Sequence, residues 1–182
     1  MKRFVLATLV AFGLTSAASA QVGDLVWEVG ADGTVELTNP TAAAIVFDGY
    51  TLACEAGCLD EAGWRQLGVA ALADPGTAIA TLGAGALSFG PLGTPDATSQ
   101  LSEANLANSA TLQPGASWSF GKPFAGTLSQ ISDWVTGGQL TVTMSGQGAV
   151  LAAPIEVVPE PSSVALAGLG LAGLIALARR RR

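Results

Sequence analysis

Leu25-Val26-Trp27-Glu28-Val29, Gly30-Ala31-Asp32-Gly33, Thr34-Val35-Glu36-Leu37-Thr38: two β-rich runs flank an Asp-Gly turn. The Asp-Gly pair supplies the positive φ that a tight hairpin needs. Side chains alternate along a strand, so Trp27, Val29, Val35 and Leu37 share one face and Glu28 and Glu36 the other. One face is apolar and one is charged, which is the pattern of a half-buried antiparallel sheet.

The same grammar continues outward. Asn39-Pro40 makes a turn, and Ala44-Ile45-Val46-Phe47 and Tyr50-Thr51-Leu52-Ala53 are strands broken by Asp48-Gly49. Gln100 to Glu103, Ala110 to Leu112, Ser117 to Phe120, Leu140 to Met144 and Ala149 to Leu151 read as further strands, with a turn at Pro114-Gly115. Asp60 is placed to cap a helical turn over Glu61 to Leu67, within which Glu61 and Arg65 form an i,i+4 ion pair. Gly68 to Thr98 is rich in Gly, Ala and Pro, and is expected to hold short strands such as Ile79 to Leu82 between long loops. Many short strands with regular turn signals, and no repeat of fixed period, predict an all-β fold. The expectation is a single β-sandwich, jelly-roll-like, spanning residues 21–153.

Both ends of the 182-residue chain are of a different kind. Met1-Lys2-Arg3, an apolar run from Phe4 to Leu14 and small residues up to Ala18-Ser19-Ala20 form a signal peptide over residues 1–20, cleaved by signal peptidase between Ala20 and Gln21. Residues 154–182 form a tail: Pro159-Glu160-Pro161, an apolar stretch, then Arg179-Arg180-Arg181-Arg182. Ser162 to Ala178 reach about 25 Å as a helix, close to the thickness of a hydrocarbon core. The arginines are suited to stop translocation and stay cytoplasmic by the positive-inside rule. The two prolines keep the motif extended and out of a helix.

Composition narrows the function. Between Gln21 and Val158 only Arg65 and Lys122 are basic, against thirteen Asp and Glu, a net charge of about −11. Such a surface repels nucleic acid and anionic membranes. Histidine is absent, which removes the usual general base and the usual zinc ligand. Cys54 and Cys58, in an exported domain, are expected to pair as a local staple. Their loop is short, so its entropic gain falls below the ~3 kcal/mol of a 15-residue loop. No spacing picks out a carboxylate pair for hydrolysis; Asp60-Glu61 and Asp133 with Glu103 are the available sets. No cofactor, metal or enzymatic activity is expected. Trp27 and Trp118 sit in alternating strands and read as core. Trp64 and Trp134, beside Gly63 and Gly137-Gly138, are the candidate glycan contacts.

Val158 to Arg182, in its order of motif, Gly/Ala/Leu segment and basic end, resembles the PEP-CTERM sorting signal of Gram-negative bacteria. That resemblance implies exosortase, an integral-membrane transpeptidase-like enzyme, as partner. It also implies transient anchoring in the inner membrane, delivery to the cell surface or extracellular matrix, and association with exopolysaccharide. The same tail occurs on certain ice-binding proteins and sometimes carries their name; it does not imply ice binding. The middle resembles a group of exported bacterial proteins with such tails or dockerin-like tails, through Gly33 to Asn39, Asp48-Gly49-Tyr50-Thr51, Leu59 to Gly63-Trp64, Leu101-Ser102-Glu103 and Leu112 to Gly115. Cys54 and Cys58 depart from that pattern. The expected role is structural or adhesive, with a carbohydrate-binding module as the alternative.

Overall fold

The hairpin forms as its alternation dictates. The computed structural model describes residues 20–92 and 98–158. Strands β1 (Val26–Val29) and β2 (Val35–Thr38) pair antiparallel, Trp27 opposite Leu37 and Val29 opposite Val35. Gly33 turns the chain at φ +82. Asp32 fastens the turn by accepting the Thr34 amide at 2.9 Å and the Thr34 hydroxyl at 2.7 Å. Trp27, Val29, Val35 and Leu37 are fully buried.

Nine more strands follow: β3 (Ile45–Phe47), β4 (Gly49–Cys54), β5 (Gly90–Pro91), β6 (Gln100–Ala104), β7 (Ala110–Leu112), β8 (Ser117–Ser119), β9 (Leu140–Gly146), β10 (Ala149–Ala153) and β11 (Ile155–Val157). They build a four-stranded sheet ordered β11-β1-β2-β8, a five-stranded sheet ordered β10-β9-β4-β6-β5, and the pair β3-β7. The protein is mostly β, in three sheets, with no closed barrel among the described residues. One aromatic layer joins the two larger sheets. Trp27 stacks on Phe120 with centroids 4.6 Å apart and meets Tyr50 of β4 at 5.4 Å; Phe120 meets Tyr50 edge-on at 4.8 Å.

Three helices depart from the expected all-strand reading. Ile79 to Leu82 is not a strand: it closes α2 (Pro75–Leu82), which follows α1 (Leu67–Ala73). Asp74 caps α2 by accepting the Thr77 amide at 3.2 Å, and Pro75 occupies a first-turn position where its missing N–H is harmless. With the start fixed and alanines following, helix propensity overrides the β preference of Ile79. α3 (Leu128–Thr136) begins in a capping box between Thr127 and Gln130.

The expected helical turn from Glu61 to Leu67 does not form either. Asp60 accepts the Ala62 amide at 3.0 Å in a tight turn, and Trp64 bridges to Gly121. Gly63 lies against the backbone of Lys122, where a Cβ would stand 2.2 Å from the carbonyl oxygen. Without the helix, Glu61 and Arg65 do not pair. Arg65 lies over the Trp118 ring at 5.4 Å instead. The ion pair seen among the described residues is Lys122 with Asp32, at 3.5 Å on the surface.

The sheet also runs past the boundary expected at Ala153. Pro154 ends β10, and β11 crosses to the other sheet, where it pairs parallel with β1: Trp27 opposite Ile155, Glu28 opposite Glu156, Val29 opposite Val157. A three-residue strand with a proline before it carries too little alternation to read from sequence.

Backbone contacts leave no room for a side chain at two glycines, Gly68 at the start of α1 and Gly85 in the 3-10 turn Ala84–Ser88 that follows α2. A Cβ on Gly68 would stand 2.0 Å from the Phe89 carbonyl oxygen, and one on Gly85 would stand 1.8 Å from that of Ser109. Gly68→Ala and Gly85→Ala are each expected to lower stability by about 3 kcal/mol, the upper end of overpacking costs. Gly76, whose nearest neighbour is 3.8 Å away, lies inside α2. Gly76→Ala is expected to raise stability by about 0.5–1 kcal/mol through helix propensity and unfolded-state entropy. Urea unfolding of the three variants checks both signs.

Candidate functional site

The most unusual chemistry is inside. Glu103 points inward from β6 on the same face as Leu101, and both are fully buried. A lone buried carboxylate is costly unless it is hydrogen-bonded. Glu103 accepts three donors: the Tyr50 hydroxyl, the Leu67 amide at 2.5 Å and the Gly68 amide at 3.1 Å. Tyr50 and Glu103 are register partners on β4 and β6. Leu67 and Gly68 open α1, whose first amides have no partner within the helix. The carboxylate therefore ties the five-stranded sheet to the start of α1.

Trp64 completes the network. Its indole N–H donates to the Tyr50 oxygen at 3.1 Å, and its ring meets Tyr50 edge-on at 6.3 Å. At 6% exposure Trp64 is a core residue rather than a surface platform. Only an edge of the site touches solvent, where Trp64 and Arg65 line an open groove with Gln66, Val69, Ala70 and Ala73. Trp134, the other candidate, is half-buried on α3; its ring lies over Gly126, where a Cβ would stand 2.7 Å from it.

Burial pushes the Glu103 carboxyl above the ordinary glutamate range; the bonds from Tyr50, Leu67 and Gly68 pull it back only in part. Tyr50 is pushed well above its ordinary value by burial and by the charge of Glu103, so it stays neutral and donates. A sealed carboxylate has no path to a substrate. Asp133, its potential partner for hydrolysis, is exposed on α3. Among the described residues no group of three or more His, Cys, Asp and Glu side chains is placed to hold a metal ion.

The disulfide forms as expected. Cys54, at the end of β4, bonds Cys58 across a turn that Gly57 closes at φ +68, and both sulfurs are buried. Asn39 was not singled out by sequence reading. It is buried, donates to the Ala43 and Leu112 carbonyls at 2.9 and 2.8 Å, and accepts from the Thr41 amide and hydroxyl. Its signal was its place ahead of Pro40. The stretches Asp48 to Thr51, Gly63-Trp64 and Leu101 to Glu103 converge on the Tyr50–Glu103 network, and Gly33 to Asn39 meets Leu112 to Gly115 at Asn39.

Of the targeting residues, Ala20 and Gln21 lie at the start of the described chain, where the Gln21 amide donates to Asp24. Residues 1–19, Pro159, Glu160, Pro161, the span 162–178 and Arg179 to Arg182 lie outside the described residues. Among the described residues no helix is long and apolar enough to cross a membrane.

Two outcomes test this core. Trp64→Ala is expected to cost about 3–5 kcal/mol of stability, read as a large fall in the urea midpoint. Glu103 gives the second. Its raised pKa means the native state holds this proton more tightly than the unfolded chain. The stability it contributes is complete below the ordinary glutamate pKa of about 4.3 and is lost as pH rises through the raised folded value. Between those values Glu103→Gln should lack the downward slope of stability with pH that the parent shows. Exposed Asp32 and Asp74, both lowered by bonds from Thr34 and Thr77, act in the opposite sense as pH falls, and do so in parent and variant alike.

No curated protein and no solved structure matches the chain. One family model does: residues 157–182 match the PEP-CTERM protein-sorting motif, so the chain carries a tail that implies export, exosortase-targeted processing and surface sorting.

Proposed function

We propose that this is a surface or extracellular-matrix protein whose exported domain is structural or adhesive, associated with exopolysaccharide, and non-catalytic. The observation that carries the reading is the sorting motif at residues 157–182. The interior supports it. The polar groups best suited to chemistry, Glu103 and Tyr50, are spent on fastening a helix to a sheet. The two cations between the ends, Arg65 and Lys122, are spent on Trp118 and Asp32. What faces solvent is a strongly acidic surface on a stapled, jelly-roll-like sandwich, the character of a soluble spacer or matrix unit. On this reading signal peptidase cleaves after Ala20, the apolar span 162–178 holds the chain in the inner membrane with its arginines inside, and exosortase then releases it outward.

One observation favours the alternative of a carbohydrate-binding module: the open groove where Trp64 and Arg65 meet Val69 and Ala73. An apolar floor beside a guanidinium suits a sugar ring edge. A glycan array probed with the exported protein, with Val69→Asp as the groove control, separates the two readings. A specific sugar lost in that variant establishes the module; no sugar bound leaves the matrix role.

Replacing Pro159, Glu160 and Pro161 together with alanine is expected to leave a full-length precursor in the inner membrane. Fractionation followed by immunoblotting reads the result. Equal delivery of parent and variant to the surface overturns the sorting assignment.

A further inference from the structure

The sorting match begins at residue 157, inside the last strand of the fold. Val157 lies opposite Val29 in the parallel pair, and the Val158 amide donates to the Val29 carbonyl at 2.9 Å. Pro159 is the next residue. No linker separates the sheet from the motif. A cleft that encloses Pro159 to Pro161 must also admit the residues just before them, and those are fixed to a four-stranded sheet roughly 15 Å wide.

The strand that holds them is weakly held. β11 is three residues long, at the edge of its sheet, and none of its side chains is fully buried. Ile155 and Val157 pack half-buried on the core, while Glu156 faces out. Glu156 stands directly opposite Glu28, and Glu28 directly opposite Glu36, so three carboxylates lie in one row across β11, β1 and β2. Like charges directly opposite each other weaken strand pairing. No basic residue pairs with this row among the described residues; the Thr38 hydroxyl donates to Glu28 at 2.9 Å. Upstream the chain is better fixed, because the Trp27 amide donates to the Pro154 carbonyl at 2.9 Å.

We propose that β11 is a releasable edge strand, which holds the start of the sorting motif on β1 and peels away to admit the motif to the processing enzyme. The carboxylate row biases it toward release, and the Pro154 contact marks where peeling stops. Freeing residues 155–158 yields about 14 Å of extended chain, enough to carry the motif clear of the sheet. The proposal rests on reading residues 157–182 as a sorting signal.

Glu28→Lys tests it without altering the tail. A lysine at position 28 faces Glu156 on one side and Glu36 on the other, turning repulsion into attraction. Pulse-chase in the exporting cell should show the half-time of precursor processing lengthened about fivefold, the effect of reversing one or two cross-strand charge pairs. A flexible Gly-Ser insert of about six residues between Val158 and Pro159 should restore the parent rate in that variant. Glu156→Lys should reproduce the slowing by the same pairing. Hydrogen exchange of the Val158 amide, which donates to the Val29 carbonyl, should slow in both lysine variants of the full-length protein. If exchange slows and processing does not, or if the insert fails to rescue, the latch is overturned. Alanine at Pro159, Glu160 and Pro161 is run beside them. Blocked processing there leaves the sorting reading standing whatever becomes of the latch, and normal processing overturns both.

Discussion

One buried carboxylate sets the arrangement of this protein. Glu103 has no charged partner in the core, and the sheet it belongs to cannot offer it backbone donors, since those are committed to strand pairing. The free amides at the start of α1 fill the need, and Tyr50 supplies the third donor. The requirement runs both ways: α1 has no capping side chain on Gln66, so its first amides would be orphaned without Glu103. Each side resolves a burial penalty of the other. That mutual need fixes where α1 meets the sheet, and α1 in turn fixes Gly68 against Phe89 and Trp64 against Tyr50.

The aromatic layer shows which effect wins when packing and hydrogen bonding conflict. Trp27 and Trp118 bury their indole N–H groups with no hydrogen-bond partner among the described residues. An unmade bond of this kind costs about 1–3 kcal/mol. Burying an indole removes about 150–250 Å² from water, worth roughly 4–6 kcal/mol at 25 cal/mol/Å², before the stacking of Trp27 on Phe120 or of Arg65 on Trp118 is counted. Burial exceeds the penalty at both sites. Trp64 incurs no such penalty because Tyr50 accepts its proton, which leaves its polar end and its ring equally committed to the interior.

The strands were legible where alternation was long. The hairpin around Asp32-Gly33 and the strands holding Tyr50, Trp118 and Val142 all follow from a period of two, and the Cys54–Cys58 pairing follows from an even cysteine count in an exported chain. The helices were written in shorter signals. Asp74-Pro75 announces α2 and Thr127 with Gln130 announces α3, yet the surrounding Gly, Ala and Pro resemble loop composition. The depth of Trp64 is hidden in sequence because Gly63 resembles a turn that presents a ring; that glycine is there because the Lys122 backbone leaves no room for a Cβ. Glu103 was legible in one respect: alternation puts it on the face of Leu101. Its partners come from two distant segments, Tyr50 on β4 and Leu67-Gly68 on α1, and no local pattern reveals a contact of that span.

The tail and the domain are usually separable ideas, an address and a cargo. Here the first strand of the domain is completed by its last. β1 takes β2 on one side from a two-strand hairpin, which closes locally, and β11 on the other from the far end of the domain. Long-range parallel pairing forms late, because loop closure must precede the contacts that reward it. The edge of β1 that faces away from the hairpin is closed by residues 155–157, and residue 157 is also where the sorting match begins. A charge such as that of Glu28 on a strand edge discourages pairing with other acidic chains. The same glutamate then weakens the strand that finally docks. The charge that blunts the edge of β1 therefore also stands opposite a like charge on the strand that closes it, and the sorting match begins in that strand.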